Sequence, residues 1–126
     1  MGFRHELTSH HFHLLKDGGA IEVEAADPTD RASKAAIRGH LERIAGLFAQ
    51  GNFSLPLFIH DTVPPGVEAM ERLKDQICYT AENTAQGAQV RIATSNPEAL
   101  RAVHEFLRFQ IQDHRTGDPL TVQPNP

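Results

Sequence analysis

Eight histidines stand in a chain of 126 residues that has no tryptophan and one tyrosine. Neutral imidazole is the commonest side-chain metal ligand and also titrates near neutral pH, so chemistry is to be looked for first at these positions. Three of them, His10, His11 and His13, fall in one alternating run. Residues two apart on a strand share a face, so His11 and His13 can grip one ion, with Glu22 and Glu24 of the following run completing a four-ligand shell. The alternative for this set is a solvated sheet face carrying His–Glu pairs, which stabilise little. A second set points the other way. His10 shares the side of Phe12 and Leu14, and on the last helical stretch His114 lies about 20° from Val103, at about 100° per residue, within the apolar stripe. An imidazole buried there needs a partner. His5, His10, His60 and His114 are therefore the candidate metal ligands, His5 arriving from the N-terminal arm and His60 from the connection Phe58-Ile59-His60-Asp61. Asp61 or Asp113 can orient an imidazole as an outer acceptor. The competing reading makes each a core-edge histidine bonded to backbone, and His40 and His104, at the margins of their stripes, are read as structural. Imidazole ligands favour copper or zinc over calcium or magnesium. Haem with histidine axial ligands is the lesser option, because no Cys-x-x-Cys-His attachment site is present.

These residues must be positioned by two similar units. Gly18-Gly19-Ala20-Ile21-Glu22-Val23-Glu24-Ala25-Ala26-Asp27-Pro28 lines up with Gly87-Ala88-Gln89-Val90-Arg91-Ile92-Ala93-Thr94-Ser95-Asn96-Pro97. Each is a strand pattern ending in an Asx-Pro pair, preceded by another alternating run and followed by a helical pattern. The fold expected is α+β: two ββα repeats, at about 8–50 and 76–114, forming a four-stranded antiparallel sheet with helices on one face. Asp17-Gly18 supplies a tight turn that pairs Leu14 with Ile21 and Phe12 with Val23. His13 then stands opposite Glu22, and His11 opposite Glu24. Val90 and Ile92 point inward, Gln89 and Arg91 outward. With the first and third strands in the middle, the start of the first lies beside the end of the third, and the last helix brings His114 back toward His10.

The first helix is expected from about Asp30 to Gln50 through Ile37, Leu41, Ile44 and Phe48, ended by Gly51-Asn52. Leu55 to Ile59 reads as a short extended piece. A short helix after Pro64-Pro65 uses Val67, Met70 and Leu73. The last helix begins after Asn96-Pro97, capped by Asn96 or Ser95, with Leu100, Val103, Leu107 and Ile111 buried. Residues 1–117 form one domain, and residues 118–126 are expected to be a loose tail.

Composition bounds the function. Forty per cent of the residues are apolar and 22% charged, as in ordinary globular domains. No apolar run approaches the roughly 18–20 residues of a membrane span, so no membrane partner is expected. The opening residues form no apolar signal-peptide core. A net charge of −4 with mixed signs argues against nucleic acid, and aromatics at 6% offer no stacking platform for bases. The one cysteine, Cys78, excludes a disulfide framework and a Cys-only zinc site, and as a nucleophile it has no supporting pattern. Gly-x-Ser-x-Gly, P-loop and His-Glu-x-x-His motifs are all missing. Whether the chain is an enzyme stays open, as does a homodimer.

Met1-Gly2-Phe3-x-His5-Glu6, His10-His11-Phe12, Gly19-Ala20-Ile21-Glu22-Val23, Phe58-Ile59-His60 and the run from Val103-His104-Glu105-Phe106-Leu107 to Asp113-His114-x-Thr116-Gly117-Asp118 together resemble a family of small uncharacterised bacterial proteins. The resemblance covers nearly the whole chain, carries no activity and assigns no functional residue. It implies a periplasmic or secreted setting, with a cytoplasmic one left open, and a chain that starts inside longer relatives. The function expected is a histidine-rich metal-binding protein, for copper or zinc handling or as a small metalloenzyme. The alternative is a metal-free binding module for a small molecule, haem or a protein partner.

Overall fold

A computed structural model describes residues 8–27, 29–52, 65–114 and 116–123, with only the backbone of Thr8 and His114. In chain order the elements are β1 (Thr8–Leu15), β2 (Gly18–Ala25), α1 (Arg31–Ala49), α2 (Val67–Arg72), a turn of 3-10 helix at Lys74–Gln76, β3 (Ile77–Thr84), β4 (Gly87–Thr94) and α3 (Pro97–His114). The four strands make one antiparallel sheet, packed against the helices as the alternation of the strands requires. Phe12, Leu14, Ile21, Val23, Val90 and Ile92 all lie in the core against Ile37, Leu41, Ile44 and Phe48 of α1 and Val103, Phe106 and Leu107 of α3.

The helix ends follow from local chemistry. Asp30 caps α1, its carboxylate accepting the Ser33 amide at 3.0 Å, and Gly51 takes φ +78° just beyond the last turn. Asn96 caps α3, its side-chain oxygen accepting the amides of Glu98 at 2.9 Å and Ala99 at 3.1 Å. The buried stripe of α3 is rotated from the one expected. Ala99, Phe106 and Gln110 are fully buried with Val103 and Leu107, while Leu100 is only half-buried. The expected extended piece at Leu55 to Ile59 lies outside the described residues.

Two expectations about the sheet are corrected. The first concerns register. Both hairpins turn through two residues, Lys16-Asp17 and Ala85-Gln86, so Phe12 faces Ile21 and Leu14 faces Gly19. The pairing expected from a turn at Asp17-Gly18 is displaced by two residues, which leaves every side chain on its expected face. Gly18 was spent elsewhere. It has φ +155°, and a Cβ there would sit 2.0 Å from the Ile92 carbonyl oxygen, so the glycine admits a neighbouring strand rather than a turn. The second concerns order. The strands run β1-β2-β4-β3, which puts β2 and β4 in the middle and β1 at an edge, far from β3. The most apolar strands take the centre, where both neighbours cover them, and the histidine-rich β1 and polar β3 take the rims.

The helices cross over. α1, from the first unit, lies chiefly across β3 and β4, and α3, from the second, lies chiefly across β1. Each is pinned to the hairpin of the other unit. Arg38 of α1 donates to the carbonyls of Thr84 at 2.8 Å and Gly87 at 3.1 Å, and His104 of α3 donates through Nε2 to the Leu15 carbonyl at 2.7 Å. Among the described residues, no helix is long and apolar enough to cross a membrane.

Candidate functional site

One face of the sheet carries the helices and the other carries polar side chains. Register sets the second face out in ranks across β1, β2, β4 and β3. One rank is His11, Glu22, Gln89 and Glu82, and the next is His13, Ala20, Arg91 and Thr80. The second rank has a methyl group where its neighbours have long side chains. A depression of about 540 Å³ opens there, lined by His13, Ala20, Glu82, Gln89 and Arg91 and walled by Leu15 and Gln123. Leu15 and Ala20 are 6% and 3% exposed. Among the described residues they are the buried apolar ones that do not belong to the main core, so the depression has a small apolar floor under a polar rim.

The rim is held by its own bonds. Arg91 donates through Nη1 to the carbonyls of Gly19 at 3.0 Å and Ile92 at 2.7 Å, and through Nη2 to Asp17 at 2.5 Å. Glu82 accepts from the Gln89 amide at 3.1 Å. His13 donates through Nε2 to Glu22 at 3.3 Å. The wall comes from the C-terminal segment, part of which was expected to form a loose tail. The Gln123 amide donates to the Leu14 carbonyl at 2.7 Å, in a bridge parallel to β1. Upstream, Asp118 accepts the Phe12 amide at 3.0 Å and His11 Nδ1–H at 3.0 Å. Burial works against the Asp118 carboxylate, but the bonds from Thr116, Phe12 and His11 outweigh it and hold the group below its ordinary value.

The expected ligands fare differently. His5, His60 and Asp61 lie outside the described residues, and so does the side chain of His114. His10 is half-buried on the helix side of β1, opposite Val23. Asp113 is exposed. The pair on the other face, His11 and His13, have rings 6.3 Å apart and inclined by 21°. The register puts Ala20 opposite His13, but His13 still reaches its expected partner Glu22 on the diagonal. His11 is opposite Glu22, and Glu24 is opposite Ser9, while the His11 imidazole is turned to Asp118. Among the described residues, no three His, Cys, Asp or Glu side chains are grouped to hold a metal ion. His104 is anchored to backbone, as its place at the stripe margin implies. His40 is half-buried, and burial is the chief cause that lowers its basicity.

Sequence reasoning passed over Ala20, Glu82, Gln89 and Arg91 as site residues. The available signal was one small residue in the middle of an otherwise long-chained polar face, which acquires meaning only once four strands are in register. No family model, curated protein or solved structure matches this chain.

Proposed function

We propose that this chain is a binding module whose working surface is the uncovered face of its sheet, and that it takes a small molecule there without a metal. The observation that supports this is the depression over Ala20, an apolar floor ringed by fixed donors and acceptors. Its volume falls within the range of about 300–1,000 Å³ typical of small-molecule sites. Amide NMR of the labelled protein against fragments bearing carboxylate, amine, amide and sugar groups tests the reading. Shifts are expected at Ala20, Gln89, Arg91 and Gln123, and Ala20→Phe, which fills the space, should abolish them in a folded protein. Shifts confined to the helices, or unchanged binding by Ala20→Phe, would sink it.

A metal ion held by His5, His10, His60 and His114 is the second proposal. Its support is one of placement. α3 ends at His114, and four residues later Asp118 meets His11 and Phe12, so the helix end and the His10 stretch of β1 share one end of the sheet. Calorimetric titration with Cu(II) and Zn(II) should find binding that weakens as pH falls through about 6–6.5, because protons compete for the neutral rings. His10→Ala and His114→Ala should each weaken it far more than His104→Ala. Equal affinities in all variants would remove this cluster.

A further inference from the structure

We propose that the depression takes a small zwitterion, with an ammonium and a carboxylate on the same carbon and an apolar group beside them, as in a free aliphatic amino acid. This rests on reading the depression as a ligand site. Arg91 on β4 and Glu82 on β3 stand diagonally on one face, because Glu82 is opposite Gln89 and Arg91 is opposite Thr80. Diagonal neighbours are about 7–8 Å apart at the backbone, within reach of a direct ion pair between long side chains. They do not make one. Arg91 is drawn to Asp17 and two carbonyls, and Glu82 is held by Gln89. A positive and a negative group are thus fixed apart on the rim of one depression.

Both have capacity to spare. A guanidinium has five N–H donors, of which three are used here. A carboxylate offers about four acceptor sites, of which Gln89 fills one. A carboxylate on the ligand meets Arg91, with the His13 ring alongside. An ammonium on the ligand meets Glu82. A plain anion would meet Arg91 and leave Glu82 on the same rim without a partner for its charge, and a plain cation would meet Glu82 and leave Arg91 with spare donors. Ala20 and Leu15 supply apolar contact for the rest of the molecule.

The probes are L-leucine, isovalerate, which has the same branched chain and a carboxylate only, and isoamylamine, which has an amine only. Each is titrated by amide NMR into the wild type and Glu82→Gln, an exposed position on β3. Leucine should shift Ala20, Gln89 and Arg91 and bind about tenfold or more tightly than either half-charged probe, the worth of one charged hydrogen bond. Glu82→Gln should weaken leucine about tenfold and leave isovalerate unchanged. Equal binding of leucine and isovalerate, or a Glu82→Gln effect on both, overturns the proposal. So does silence from all three probes. If other fragments still shift Ala20, the ligand site stands and only its zwitterionic class falls; if nothing shifts Ala20, both fall.

Discussion

Gly18 and Gly87 each open a central strand, and each meets the other strand where a side chain would not fit. A Cβ on Gly18 would lie 2.0 Å from the Ile92 carbonyl oxygen, and a Cβ on Gly87 would lie 2.1 Å from that of Val23. The two contacts fall at corresponding places in the two units, at opposite ends of the β2–β4 seam. Relief requires moving backbone rather than a flexible side-chain tip, so Gly87→Ala should cost about 3 kcal/mol. Gly46 is the contrast. It is exposed on α1 with nothing within 4 Å of a built Cβ, and Gly46→Ala should stabilise by about 0.5–1 kcal/mol. Urea unfolding of both variants measures the difference, and a Gly87→Ala midpoint matching wild type would refute the seam's tightness. The same residues explain what could be read in advance. Gly18 announced a special backbone position, but Asp17-Gly18 has the local signature of a hairpin turn, and the strand that needs the glycine is some 70 residues away. Ala20 announced nothing, because a small side chain becomes a floor only when larger ones stand around it.

At the scale of elements, the alternation of β1, β2 and β4 and the stripe of α1 were legible, because burial on one face imposes a period that the chain itself carries. The choice of central strands was not, since pairing between hairpins is long-range. The useful clue was the matched pair of glycines, together with the polarity of β1 and β3. The C-terminal segment was also missed. Pro-rich and polar, it has no period, yet residues 116–123 run along β1 and cover a sheet edge that would otherwise be open. Asp118 fastens it to β1 through two hydrogen bonds, and this fixes a pH dependence. The carboxylate is held below its ordinary value of 3.8, so the unfolded chain takes up the proton first as pH falls. The stabilisation is complete above that value and is lost as pH drops through the lower folded one. Asp118→Asn should reproduce the loss at neutral pH, at about 1 kcal/mol after allowance for solvent screening. It should also remove the low-pH loss of protection of the Phe12 amide in hydrogen exchange. An unchanged Phe12 exchange rate in that variant would show that the segment is held by other contacts.

The whole molecule is held by exchange between its units. α1 leaves the first hairpin to lie across β3 and β4, α3 leaves the second to lie across β1, and Arg38 and His104 fasten each helix to the hairpin of the other unit. The seam between β2 and β4 completes the sheet on which the exposed ranks of side chains are assembled. Among the described residues the buried side chains form one core that draws on both halves. Residues 1–52 keep β1 and β2 but lose α3 from above them, leaving Phe12 and Leu14 without Val103, Phe106 and Leu107. Residues 65–126 keep β3 and β4 but lose α1, leaving Val90 and Ile92 without Ile37, Leu41 and Ile44. Burial on that scale is the main favourable contribution to folding, and a fragment of about 50–60 residues has little surplus to lose. Each half, made separately, should therefore show no cooperative thermal transition by circular dichroism. An equimolar mixture should recover helical signal and a melting transition that rises with concentration, as association of two chains requires. The depression should return with it, because His13 and Ala20 come from one fragment and Glu82, Gln89 and Arg91 from the other. A cooperative melt by either half alone would contradict this account, since it would mean that one hairpin and its own helix bury enough without the exchange.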